Sequence, residues 1–244
     1  MNKNIKNLIL ILILGALGGM TFQAFILPYL ATMPYFQRFD FIKILTQKEV
    51  IINQAPNEII IEENTALQDA IEKVQKSVFG VRAESSQGKV VEGTALILTN
   101  DGYFVSLPAF LPKGYEFKFF LEGGAQPEFK TIKTSSQENL ALAQLQTSDL
   151  STTPFAETGS IRLGQRVFLV GFVFEKGVPK KVVNEGIVKS VSENSIETNI
   201  FESISLQGSP LFNIKGEIIG LSTIGKSGQV LAIPVDRIRE FTGF

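Results

Sequence analysis

The 244-residue chain carries a formal net charge of −1 and contains neither histidine nor cysteine. With no cluster of Lys and Arg there is no footprint for a nucleic-acid backbone. Without Cys there are no disulfides, thiolate metal sites or cysteine nucleophile, and without His the common zinc sites lose their other main ligand, so no metal or cofactor is expected.

The first element is apolar. From Asn7 to Gln37 no charged residue occurs, a run well beyond the roughly 20 residues that cross a bilayer. It also outlasts a secretory signal core, and no convincing small-x-small cleavage site follows, which favours an uncleaved anchor over a removed signal or a buried soluble helix. Gly15, Gly18 and Gly19 suit a membrane helix, and Tyr29 and Tyr35 stand near its far end, where interfacial aromatics belong. Lys3 and Lys6 precede the run, so the positive-inside tendency keeps the N-terminus cytoplasmic and places the rest of the chain outside. Residues 1–34 are therefore expected to form a cytoplasmic stub and single-pass signal anchor, and 35–64 a stalk with one short extended stretch at Glu58–Ile61.

A short amphipathic helix should follow. Thr65 is placed as its N-cap, Gln68 completes a capping box, and Leu67, Ala70, Ile71, Val74 and Val78 recur at three- and four-residue spacing. From Val78 onward the pattern changes to about a dozen short runs rich in Val, Ile, Phe and Thr, from "VFGVRA" to "VLAIP", punctuated by turns such as "NDG", "PKG" and "IKG". Many short strands with tight turns imply an all-β barrel or sandwich over residues 65–244. The final "PVDRIREF" reads as one or two closing helical turns.

Six blocks in this region, in order and at matching spacing, resemble the HtrA (Deg) group of trypsin-like serine proteases. "GTALILTNDGYFVSLPAFL" resembles the pattern G-S-G-F-I-I-s-x-D-G-Y-I-V-T-N-N-H-V-V, with Gly93, Asp101, Gly102, Tyr103 and Val105 in place and Ala109 where the catalytic His would stand. "NLALAQL" is similar to D-L-A-V-L-K-V and puts Asn139 at the catalytic Asp. "IRLGQRVFLVGF" matches through Gly164, Val167 and Gly171, and "EGIVKSV" through Gly186, Ile187 and Val188. "IETNIFESISLQGSPLFNIKGEIIGLSTI" aligns without insertion against the nucleophile block, so Gln207 replaces the nucleophilic Ser, and "VLAIPVDRI" resembles the G-F-A-I-P-s strand that lines the substrate cleft. The resemblance implies two packed six-stranded β-barrels. It also implies no PDZ domain here, since the chain stops where family members often continue into one.

Acyl transfer by a serine triad needs a hydroxyl, an imidazole and a carboxylate. Ala109, Asn139 and Gln207 supply none of these, and the absence of any histidine excludes the usual mechanism whatever the alignment. Only one of the three glycines of the G-N-S-G-G loop remains, among Ser205, Leu206, Gln207, Gly208 and Ser209, so the oxyanion hole is doubtful as well. A relocated nucleophile at Ser205 or Ser209, with Lys113 as base, is the enzymatic alternative; turn serines and a solvated surface lysine are the commoner reading of the same residues. The expectation is a membrane-anchored pseudoprotease of the cell envelope that binds a peptide or protein partner. Its cleft would be lined by Leu206, Gln207, Gly208, Leu221, Ser222, Thr223, Val230, Leu231 and Ala232, with the peptide added along the edge of "VLAIP". A structural docking module of an envelope assembly is the third reading.

Overall fold

The computed structural model describes residues 3–26, 29–30 and 63–244. The chain divides into two compact units, Met1–Ile60 and Ile61–Phe244.

In the first unit, α1 (Lys3–Thr21) runs into a π-helical turn at Phe22–Ile26. The 22 residues Ile5–Ile26 have a mean hydropathy of 2.2 and bury none of their side chains in the protein, so by length and composition this helix is able to cross a membrane. Tyr29 is exposed at its far end. Tyr35 and the stretch expected at Glu58–Ile61 lie outside the described residues.

The second unit opens with α2 (Glu63–Val74). Thr65 does not cap it. The helix already includes Glu63, which places Thr65 inside the first turn. Ala70 and Val74 are buried with Leu67 and Ile71 packed beside them, as the three- and four-residue spacing requires.

Twelve strands follow. The first six are β1 (Val78–Ser85), β2 (Val90–Ile97), β3 (Tyr103–Ser106), β4 (Tyr115–Phe120), β5 (Phe129–Ser135) and β6 (Leu140–Leu145); they form one antiparallel sheet in the order β4-β1-β2-β3-β6-β5. Its ends do not share a ladder but curl together through side chains. Phe129 of β5 packs on Phe117 and Phe119 of β4 at centroid distances of 4.6 and 5.2 Å. Phe79, Phe104 and Phe119 meet edge-to-face in the middle of this curled sheet, each burial contributing about 1.5–3 kcal/mol.

The second six are β7 (Arg166–Glu175), β8 (Val178–Val191), β9 (Ile196–Phe201), β10 (Pro210–Asn213), β11 (Ile218–Ile224) and β12 (Gln229–Pro234), closed as a barrel in the order β10-β11-β12-β9-β8-β7. Along β7 the side chains alternate between two cores. Val167 and Leu169 fill the barrel, whereas Phe168, Val170 and Phe172 face outward into a cluster shared with the first sheet. Being buried on both faces, β7 reads as a continuous apolar run rather than an alternating one. α3 (Val235–Thr242) contributes Val235, Ile238 and Phe241 to that shared cluster, and Gly243, with φ of 84°, ends it by donating to the Arg239 carbonyl at 2.7 Å. The interface between the two sheets is thus a core in its own right, and the candidate site lies at its rim.

Candidate functional site

Ala109 sits on a single 3₁₀ turn, Pro108–Phe110, directly after β3, and is exposed. Proline at the first position pre-sets the turn's φ and loses no hydrogen bond there. Asn139 immediately precedes β6 in the left-handed region at φ of 53°, which Asn tolerates better than most residues. Antiparallel pairing of β3 with β6 sets Ser106 against Ala141. Asn139 lies two residues before Ala141, the position of β6 at which that pairing ends. From the other sheet, the segment after β9 forms a second 3₁₀ turn, Ile204–Leu206, with Gln207 as its C-cap.

The two turns meet through Phe110. Its ring lies so close over Gly93 of β2 that a Cβ there would fall 2.4 Å from it, and over Gly208 so closely that a Cβ would fall at 2.8 Å. Phe110 itself is 8% exposed. Phe110, the neighbour of Ala109, therefore packs against Gly208, the neighbour of Gln207. The segments 107–110, 139 and 203–209 carry no ionisable side chain.

Main-chain donors are also spent. Leu206 N–H donates to the Ser203 carbonyl at 3.0 Å, Gln207 N–H to Ile204 at 3.1 Å, Gly208 N–H to Ser222 at 2.8 Å and Ser209 N–H to Leu206 at 3.2 Å. An oxyanion hole requires N–H groups aimed at open space where the anion will form, and Gln207 N–H, at the nucleophile position, already has a carbonyl of this chain.

The candidate substitute nucleophiles diverge. Ser205 is exposed and shares a short hydrogen bond with Ser203. Ser209 is fully buried, its Oγ against the backbone of Gly171, where an added Cβ would come within 2.0 Å. Lys113 is exposed in the turn before β4.

The expected peptide cleft needs correction. β12 is paired on both sides, with β11 from Gly220↔Pro234 to Ile224↔Val230 and with β9 at Leu231↔Glu197 and Ala232↔Ile196. It has no free edge to which a peptide could add. Of the cleft residues named above, Leu206, Gly208, Leu221, Ser222, Val230 and Ala232 are buried, and only Gln207, Thr223 and Leu231 retain partial exposure. On β11 the main-chain N–H and C=O of Ser222 are both taken by Ser209 and Gly208, and its Oγ donates to the Leu206 carbonyl at 3.0 Å.

Three contributors escaped the sequence reading: Phe110, Ser222 as a tie for the loop, and Gly171 as the floor under Ser209. Phe110 left one signal, since it stands where the quoted pattern has Val after the His. Among the described residues no group of three or more His, Cys, Asp or Glu side chains is placed to hold a metal ion.

Two six-stranded sheets with a one-turn helix after β3 and a tight loop before β10 define a trypsin-like architecture. The family model described as "Trypsin-like peptidase domain" matches residues 86–221, more than half of the chain, and the chain belongs to that family. A "Probable periplasmic serine endoprotease DegP-like" from Pseudomonas savastanoi is 25% identical over 155 residues, covering 59% of this chain and 32% of the relative. A "Probable periplasmic serine protease do/HhoA-like" from Haemophilus influenzae is 27% identical over 174 residues, covering 64% and 37%. The chain spans about a third of the length of these curated relatives. The crystal structure of the serine endoprotease from Yersinia pestis superposes with a TM-score of 0.64 at 19% identity, over 71% of this chain and 64% of that one, a likeness of fold.

Proposed function

We propose that this protein is a membrane-anchored pseudoprotease: a trypsin-like scaffold held outside the cytoplasmic membrane by its N-terminal helix, without hydrolytic activity, which serves the cell envelope by docking a protein partner. One observation carries the reading. Every N–H from Leu206 to Ser209 is bonded within the chain, beside Ala109, Asn139 and Gln207, in a protein with no histidine. A triad-less protease retains roughly 10³–10⁴ over water only through its oxyanion hole and substrate binding, and Gln207 N–H, the donor at the nucleophile position, is engaged here. The apolar span Ile5–Ile26 supports the anchor, Lys3 and Lys6 support a cytoplasmic N-terminus, and the relatives named periplasmic support an envelope location. Closure of β12 on both sides favours surface docking over capture of an extended peptide.

The full chain in lipid nanodiscs is expected neither to cleave an unstructured substrate such as casein nor to be labelled by a serine-reactive phosphonate. Cleavage that disappears on Ser205→Ala or Ser209→Ala would establish the relocated-nucleophile enzyme instead. Crosslinking in the native membrane separates the two binding readings: one fixed protein partner supports docking, and a varied set of unfolded peptides supports capture.

A further inference from the structure

The same loop carries a second consequence, which rests on reading residues 203–209 as the former nucleophile loop. We infer that the loop is latched by its own side chains, so that the main chain, and not the missing triad alone, forecloses catalysis. Three contacts make the latch. Leu206 is 3% exposed, its side chain part of the core of the second barrel alongside Leu169, Ile196 and Leu211. Ser222 grips the loop at three points, accepting from Gly208 N–H, donating its own N–H to Ser209 and donating its Oγ to the Leu206 carbonyl. Phe110 covers Gly208 from the opposite side, where its ring leaves no space for even a Cβ.

The geometry explains why these contacts act together. A 3₁₀ turn closes each hydrogen bond over three residues, so the Gln207 N–H must point back along the loop to reach the carbonyl of Ile204. Turning that N–H outward means breaking the turn. Leu206 is the last residue of the turn, so the turn cannot unwind while its side chain stays in the barrel. Outward movement of Gly208 is blocked by Phe110. The latch is made by Leu206, Phe110 and Ser222, none of which is position 207.

The test separates latch from triad. Ala109→His, Asn139→Asp and Gln207→Ser are combined in the full chain, and hydrolysis of an activated ester and of casein is measured in nanodiscs. The latch requires this triple variant to stay within tenfold of the wild-type blank, and addition of Leu206→Asn and Phe110→Val to raise the rate at least a hundredfold above the triple variant. A triple variant that hydrolyses well by itself overturns the latch. It leaves the proposed function of the natural chain untouched, because that is sunk only by wild-type hydrolysis. Folding of each variant is checked by circular dichroism and cooperative melting. Native-state amide exchange of the wild type keeps the inference falsifiable if the variants fail to fold. The amides of Leu206 to Ser209 are expected to exchange at least a hundredfold more slowly than those of the exposed turn at Gly123 and Gly124, and Ser222→Ala to speed them tenfold or more. Exchange at the rate of that turn overturns the latch.

Discussion

Ser209 has a hydroxyl that is fully buried and meets no hydrogen-bond partner among the described residues. A hydroxyl stripped of water without a replacement bond costs about 1–3 kcal/mol. The small apolar gap left by its removal costs less, because the oxygen already lies in tight contact with Gly171. Ser209→Ala is therefore expected to raise stability by about 1 kcal/mol, measured by urea denaturation at constant m-value; a loss of stability would mean that the hydroxyl is satisfied after all. At this scale Ala109, Asn139 and Gln207 are legible in the sequence because each sits in an ungapped block whose neighbours fix its position. Phe110 is not legible in the same way, since its role depends on Gly93 of the neighbouring strand β2 and on Gly208, which reaches it only through the packing of two sheets. Gly93 illustrates the difference: its place in the pattern can be read directly, but the ring that excludes a side chain there cannot.

Where the first sheet fails to close by main-chain pairing, one amide side chain stands in for a strand. Gln126 Oε1 accepts Phe119 N–H at 3.0 Å and its Nε2 donates to the Phe119 carbonyl, so the edge of β4 is satisfied near its C-terminal end. Edges left bare invite pairing with other chains. Gln126→Ala removes both bonds at once. It is expected to destabilise the domain by about 1–2 kcal/mol and to increase self-association in light scattering at matched concentration; a variant as stable and monodisperse as the wild type would show that the edge needs no cover. All twelve strands have counterparts among the sequence runs, because β-branched and aromatic clusters between turn residues mark them well. The first half of β8, from Val178 to Asn184, is the exception. Pro179 and the pair Lys180-Lys181 mask any strand signal, and the segment is extended only because β7 pairs with it across the Lys176-Gly177 turn, where both residues have positive φ. That pairing is a tertiary decision that no local window contains.

The molecule-scale question is what holds one sheet against the other, and part of the answer is visible in the order of the blocks, whose resemblance to the HtrA group implies a pair of packed barrels. The polar ties across the joint are not visible there. Phe172 N–H of β7 donates to Thr94 Oγ1 of β2 at 2.9 Å in the buried interface, Lys133 Nζ of β5 donates to the Phe241 carbonyl of α3 at 3.1 Å, and Lys181 Nζ of β8 donates to the Gln75 carbonyl beyond α2 at 2.7 Å. Lys181 also lies over the Phe172 ring at 5.5 Å. Partial burial among these groups pushes its ammonium below the usual 10.5, and the charge of Glu122 opposes the shift without cancelling it. The sign follows directly. Folding disfavours the charged form, so the contribution of Lys181 to stability is greatest above the unfolded value of 10.5 and is lost as the pH falls through the lowered folded value. Between those two values the wild type should gain stability with rising pH relative to Lys181→Met, in which other titrating groups cancel. The check is a pair of urea denaturation series from neutral pH to 10.5. A constant difference between the two proteins would mean that the lysine titrates alike in the folded and unfolded chains and that its bridge between the barrels exacts no desolvation cost.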